Sequence, residues 1–260
     1  MAVELARPAT TSPPDVIRIG SVRYAWPGKG AFSLAVEDFA LLKRERVLLI
    51  GPSGSGKSTF LSLICGILAP QSGTISILGR DITKLGAAQR DAFRAEHFGI
   101  IFQMFNLLPY GSVIDNVLLP LSFAPERRAR AAGGASPAEE AGRLLARLGL
   151  EPHLLTGRSA ANLSVGQQQR VAAARALIGA PEIVVADEPT SALDRDRQDA
   201  FLDLLFAETG AAGATLIMVS HDQSLAPRFD RVVRLADIAA TTPAWQEPAP
   251  EAKPKTQPKT

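Results

Sequence analysis

Residues 46 to 68 read RVLLIGPSGSGKSTFLSLICGIL. A short β-branched run, RVLLI, leads into the octet GPSGSGKS from Gly51 to Ser58, and KSTFLSLICGIL continues with helix composition. The octet satisfies G-x-x-x-x-G-K-[ST], and a strand before it with a helix after it is the context that gives the pattern meaning. Glycines let the backbone wrap so that successive N–H groups converge on phosphate oxygens, while a lysine reaches the terminal phosphates and a hydroxyl ligates Mg2+. This reading assigns Gly51, Pro52, Ser53, Gly54, Ser55 and Gly56 to the cradle, Lys57 to the β- and γ-phosphates, Ser58 to the metal and Thr59 to a further phosphate contact. The ligand class is a nucleoside triphosphate.

Away from the octet, β-branched runs alternate with longer helical patterns. VIRIGSVRY, TISIL, FGIIF, EIVVA, TLIMVS and RVVRL join RVLLI as strand candidates. AAQRDAFRAEH, RDRQDAFLDLLFAETG and DQSLAPRF join KSTFLSLICGIL as helix candidates. Several strands are continuous apolar runs, as strands buried on both faces are, so the expected fold is α/β with a layered parallel sheet. From about 104 to 178 the rhythm breaks, no convincing strand appears, and a helical insertion is expected. Its best-marked helix opens at SPAEEAGRLLARLGL, where Ser136 caps, Pro137 takes the first helical position and Glu139 completes a capping box. The preceding Arg127, Arg128 and Arg130 read as a solvated loop.

A second chemical signal is EIVVADEPT, Glu182 to Thr190, an apolar strand ending in two carboxylates. Asp187 is placed to hold Mg2+, and Glu188, facing differently, to orient or deprotonate an attacking water. A third is LSVGQQQR, Leu163 to Arg170, a helix start with a serine, a glycine and glutamines but no acidic side chain to answer the dipole. Such an end attracts an anion. It carries no Mg2+ ligand or cation of its own, so a phosphate it bound would be one already held elsewhere.

The chain has 260 residues, 46% of them hydrophobic, with 28 basic against 26 acidic side chains. That is enough to bury one substantial core, and the near-balanced charge argues against a nucleic-acid partner. The lone Cys65, inside FLSLICGIL, reads as core. Residues 1 to about 14 and 242 to 260 are rich in Pro, Ala, Thr and charge, and read as disordered tails around a unit of residues 15 to 241. No window approaches the length of a membrane span, so the chain is expected to be cytoplasmic.

A phosphate loop, then LSVGQQQR, then VVADEPTSALD, then VSHD at Val219 to Asp222, in that order, resembles the ATP-binding cassette ATPases over roughly residues 16 to 237. EHFGIIFQMFNLLP and SVIDNVLLPL resemble the lipoprotein-releasing, macrolide-exporting and cell-division branch. The resemblance implies a RecA-like phosphate-loop core, an N-terminal antiparallel β portion and an inserted α-helical subdomain. ATP and Mg2+ are the implied ligands. Gln103 in IIFQ would sense Mg2+ and the γ-phosphate, and His221 would contact the γ-phosphate. Ser164, Gly166 and Gln167 would bind ATP held by a second copy of the chain, in a head-to-tail homodimer. Ser191 to Asp194 would run along the dimer seam or simply cap a helix. Trp26, in preference to Tyr24 on the same stretch, would stack on adenine, and His97 and His153 would be structural or exposed. An integral membrane permease is the implied partner, holding the ATPase on the inner face of the membrane, with a soluble ATPase of DNA or ribosomes as the competing class. Met104 to Tyr110, following Gln103, reads as part of the permease groove or as internal core. The usual Leu-Ser-Gly-Gly-Gln has Val165 for its first glycine, and Arg44 stands where a glycine is usual.

Overall fold

The computed structural model describes residues 14–28, 30–134, 136–151, 159–191 and 193–242. The two expected tails, apart from residues 14 and 242, and His153 lie outside the described residues. Two five-stranded sheets organise the rest. One is antiparallel, built from β1 (Asp15–Ala25), β2 (Ser33–Leu42), β4 (Ser72–Ile77), β5 (Arg80–Asp81) and β10 (Ala239–Thr242), in the order β10-β2-β1-β4-β5. The other is parallel, built from β3 (Arg46–Ile50), β6 (Phe98–Ile101), β7 (Ile183–Asp187), β8 (Thr215–Ser220) and β9 (Arg231–Arg234), in the order β6-β7-β8-β3-β9.

The parallel strands are apolar on both faces because both faces are covered. Leu48, Val184 and Leu216 belong to one buried cluster, and their neighbours Val47, Val185 and Ile217 to the other. The first cluster is shared with the helical insertion: α3 (Val113–Leu118), α4 (Pro125–Ala131), α5 (Pro137–Arg147) and α6 (Val165–Leu177). The second cluster joins the antiparallel sheet to α1 (Lys57–Ile64) and α2 (Ala87–His97). α7 (Arg195–Ala211) and the short α8 (Leu235–Ile238) complete the chain. Among the described residues between 104 and 178 the only β pairing is the single bridge Ser112–Ser159. Cys65 is buried in the second cluster, where burial pushes its thiol up to about 12.

Three expectations are corrected. Arg127 is not a solvated loop residue. It is 1% exposed on α4, and its guanidinium donates to the carbonyls of Ile178 at 2.6 Å, Ala176 at 2.5 Å and Phe98 at 2.9 Å. Burial among neutral carbonyls, helped by the nearby Arg130, pulls its pKa down to about 10. Arg128 and Arg130 do lie at the surface as expected, on the same helix, with Arg130 donating to Gly179 O at 2.9 Å. DQSLAPRF forms a 3-10 turn over Gln223–Arg228 in place of an α-helix, because Pro227 has no N–H to give. α1 stops at Ile64, short of the expected Leu68, where Gly66 takes φ 66°.

The missed strand β2 has a physical cause. Leu34 and Val36 point inward, then Phe39 and Leu41, so the alternation slips at Glu37 and Asp38. β1 slips at the same level, from Ile17 and Ile19 to Val22 and Tyr24, across Ser21 with φ 50°.

Candidate nucleotide site

Parallel pairing brings four strand ends to one edge of the sheet. Ile50 is level with Ser220, Asp187 with Val219 and Ile101 with Ala186. The segments that follow therefore emerge together: the phosphate loop from Gly51, Glu188, Gln103 and His221. Edges where parallel strands end are where α/β sheets bind ligands.

The phosphate loop is built for close backbone approach. Gly54 and Gly56 hold φ of 76° and 101°, and a Cβ at Gly56 would collide with the Phe32 ring, so both conformation and packing demand glycine there. α1 starts directly after Gly56 with no acidic residue in its first turn, leaving its N-terminal N–H groups for an anion. Lys57 is only 6% exposed and bends back on the loop, donating to Gly51 O at 2.7 Å and Pro52 O at 2.9 Å. The Ser55 hydroxyl oxygen is buried without a partner.

Ser58 Oγ donates to Asp187 Oδ2 at 2.9 Å, joining the loop to the end of β7. Burial raises the pKa of Asp187, with Glu188 adding to the rise and the Ser58 hydrogen bond and Lys57 opposing it. A buried carboxylate held up in this way is short of positive charge, and two hard oxygens side by side are suitable Mg2+ donors. Among the described residues no group of three or more His, Cys, Asp or Glu could hold a metal. A cation held by Ser58 and Asp187 would take its remaining oxygens from phosphate and water.

Glu188 and His221, read separately in the sequence, meet: His221 Nδ1 lies 3.1 Å from Glu188 Oε2. Glu188 holds φ 44° and its N–H donates to Val219 O, a left-handed kink at the strand end. Gln103 is exposed two residues beyond Ile101. Trp26 is 44% exposed while Tyr24 is 8% exposed; the two rings meet edge to face at 5.5 Å, and Trp26 Nε1 donates to Thr59 Oγ1 at 3.4 Å. Of the two aromatics, Trp26 is the one with accessible surface, and it stands over the helix that follows the loop. His97 lies 3.1 Å from Glu182 Oε2, away from this edge at the start of the strands.

LSVGQQQR behaves partly as expected. Ser164 caps α6, accepting from Gln167 N at 3.3 Å while Gln167 Oε1 accepts from Ser164 N at 2.9 Å, so the helix end is partly self-satisfied. Nor is it free of cations, as the sequence reading had it. Ser164, Gly166 and Gln167 line a cleft of about 590 Å³ with Arg170 and Arg197. This cleft is distinct from the cavity of about 490 Å³ lined by Gly51, Pro52, Ser55 and His221. Asp194 caps α7 by accepting from Arg197 N at 3.0 Å. Val165 is 49% exposed, so the changed signature position costs no core packing. Arg44 holds φ 65°, the conformation that suits the glycine usual there, and its N–H donates to Thr215 Oγ1. Two polar residues on α6 were passed over: Gln169, 1% exposed, donates to Pro189 O at 2.7 Å, and Arg175 is 7% exposed. A charged side chain within VAAARAL was the available signal.

The family model described as ABC transporter matches residues 36–191. The chain belongs to the ABC transporter family. It is the ATP-binding, ATP-hydrolysing cassette subunit of such a system. Among its relatives, the ABC transporter ATP-binding protein YbbA of Escherichia coli strain K12 is 40% identical over 213 residues, covering 81% of this chain and 90% of YbbA. The lipoprotein-releasing system ATP-binding protein LolD 1 of Caulobacter vibrioides is 42% identical over 207 residues, covering 79% of this chain and 85% of its own. That likeness agrees with the branch implied by EHFGIIFQMFNLLP. Of solved structures, the dimeric ABC transporter cassette MJ0796 superposes with TM-score 0.72 at 32% identity, over 84% of this chain and 93% of that one. The same cassette has been solved as a dimer in a post-hydrolysis state bound to ADP and Pi.

Proposed function

We propose that this ABC cassette works as a head-to-tail homodimer that closes on two ATP molecules and drives an integral membrane permease, which holds it on the inner face of the cell membrane. The observation that carries the reading is the division of the site over two surfaces of one chain. The cradle, Asp187, Glu188 and His221 stand at the sheet edge, while Ser164 and Gly166 line a separate open cleft. Each surface is half of a phosphate site, and a second copy can complete both. Within a half site, Gly51 to Gly56 and Lys57 hold phosphate, Thr59 adds a contact and Trp26 stacks on the base. Ser58, Asp187 and Gln103 would hold Mg2+, which when bound neutralises charge on the transferred phosphoryl group. Glu188 positions the attacking water, with His221 fixing the Glu188 carboxylate and facing the γ-phosphate.

Permease docking is proposed at a groove of about 700 Å³ lined by Phe102, Asn106, Phe123, Arg127 and Arg175 among others. Met104 and Tyr110, in the same stretch of chain as Asn106, are 81% and 83% exposed. Phe105, within the same stretch, is 8% exposed and belongs to the core, so the groove is better probed at Phe123.

Two crippled chains test the dimer. Lys57→Ala removes the cradle's cation and Ser164→Arg obstructs the signature, and both chains also carry Glu188→Gln so that a closed pair accumulates. ATP-dependent dimer, read by size, should form only in the mixture, where one of the two sites is whole. Equal dimer from each mutant alone, or no gain on mixing, would sink the reading.

A further inference from the structure

Arg175 lies on α6 with its guanidinium turned into the segment that follows Gln103. It donates through Nη1 to Asn106 O at 2.7 Å and through Nη2 to Phe105 O. Phe105 and Asn106 hold φ of 57° and 49°, two consecutive left-handed residues that are not glycine. Such a pair is costly and persists only where its surroundings over-determine it. The planar fork of an arginine, meeting both carbonyls at once, is such a constraint. The far end of the segment is also fastened. Asn116, fully buried, accepts from Leu108 N at 2.7 Å and donates to Leu108 O at 3.0 Å. Gln103 therefore sits in a short turn, closed by Phe105 N donating to Phe102 O at 2.9 Å, between the end of β6 and this clamp. α6 reaches the other side of the site as well, through Gln169 and the carbonyl of Pro189, next to Glu188. Arg175 is at the same time part of the wall of the groove that holds Phe102 and Phe123.

We propose that Arg175 is the positioning residue for Gln103: by holding the Phe105 and Asn106 carbonyls it sets where the glutamine stands. Because Arg175 also lines the groove, a permease segment seated there acts on the metal side of the nucleotide site through it. The proposal rests on the reading of Gln103 as a metal-facing residue. Arg175→Met keeps the aliphatic stem and loses the fork, and Arg175→Lys keeps the charge but offers one point donor in place of two.

The full-length chain is assayed for ATP turnover at fixed ATP while Mg2+ is titrated, alongside thermal melting and Mg2+-free ATP affinity. In Arg175→Met the Mg2+ needed for half-maximal turnover should rise by about tenfold, the cost of losing a group that orients a metal ligand. Mg2+-free ATP affinity should not change, and Arg175→Lys should fall between. Gln103→Ala should show the same shift, and adding Arg175→Met to it should shift the midpoint no further. A lower melting temperature with an unmoved Mg2+ midpoint, while Gln103→Ala does move it, would reduce Arg175 to a packing role and overturn the proposal. An unmoved midpoint in Gln103→Ala itself would remove the Gln103 reading and this proposal with it. Should Arg175→Met not fold, Arg175→Lys and its combination with Gln103→Ala carry the same test.

Discussion

Asp187 is held at the end of β7 with its pKa raised chiefly by burial, and the direction of that shift has a consequence for stability. A carboxyl whose pKa is higher in the folded chain contributes stability below its unfolded pKa and loses it as pH rises through the folded value. At neutral pH the nucleotide-free chain therefore carries a penalty at this residue. Asp187→Asn should melt at a higher temperature than the parent at pH 8, with the gap narrowing as pH falls, while its Mg2+-dependent turnover is lost. Melting curves across pH decide it, and a gap that stays constant with pH would show that the carboxylate is not strained. The phosphate loop, Asp187 and Glu188 were legible from residue order alone because each needs a specific side chain at a fixed spacing. The contact between Glu188 and His221 was not, because it depends on two strands lying side by side. The roles of Gln169 and Arg175 were hidden differently: a charge within VAAARAL hints at a buried partner, but the partners are backbone carbonyls, which leave no mark in a sequence.

Arg127 shows how a helix too short to stand alone is made to stay. α4 spans Pro125–Ala131, and the Glu96 carboxylate accepts from the N–H groups of Glu126 at 3.1 Å and Arg127 at 2.9 Å, filling its N-terminal end. The Arg127 side chain then caps the C-terminal carbonyls of α6 at Ala176 and Ile178 and meets Phe98 at the start of β6. Gly99 makes room for this junction, because a Cβ there would overlap the Ala176 carbonyl. Arg127→Met should cost about 3 kcal/mol of unfolding free energy, since several buried carbonyls lose their donor together. Urea unfolding checks this, and a loss under about 0.5 kcal/mol, typical of a surface site, would contradict the burial. The sequence reading placed Arg127 in solvent because three arginines within four residues look like a charged surface, and only tertiary packing separates Arg127 from Arg128. β2 was missed through a different limit: pattern reading assumes an unbroken period of two, which fails where both strands twist across Ser21.

The molecule places its two recognition surfaces on different bodies. The phosphate loop belongs to the side packed with the antiparallel sheet, the signature cleft to the helical side, and the parallel sheet lies between them. The proposed docking groove has walls from both, with Asp91 and Arg94 of α2 on one side and Leu119 and Phe123 on the other. If that groove seats the permease, Phe123→Ser should leave ATP turnover by the isolated chain unchanged and reduce recovery of the membrane partner in mild detergent. Phe123 is 68% exposed, so its loss should not unfold the chain, and undiminished recovery would place docking elsewhere. The parallel sheet itself has a further role. Its central strands are dry on both faces and bonded on both edges, so their amide hydrogens trade with solvent only when the whole chain opens, while those of the loops at its end trade through local openings. The sheet thus serves as a fixed plate: the loops can move through every turn of the ATP cycle, and the surface from which they hang keeps no trace of it.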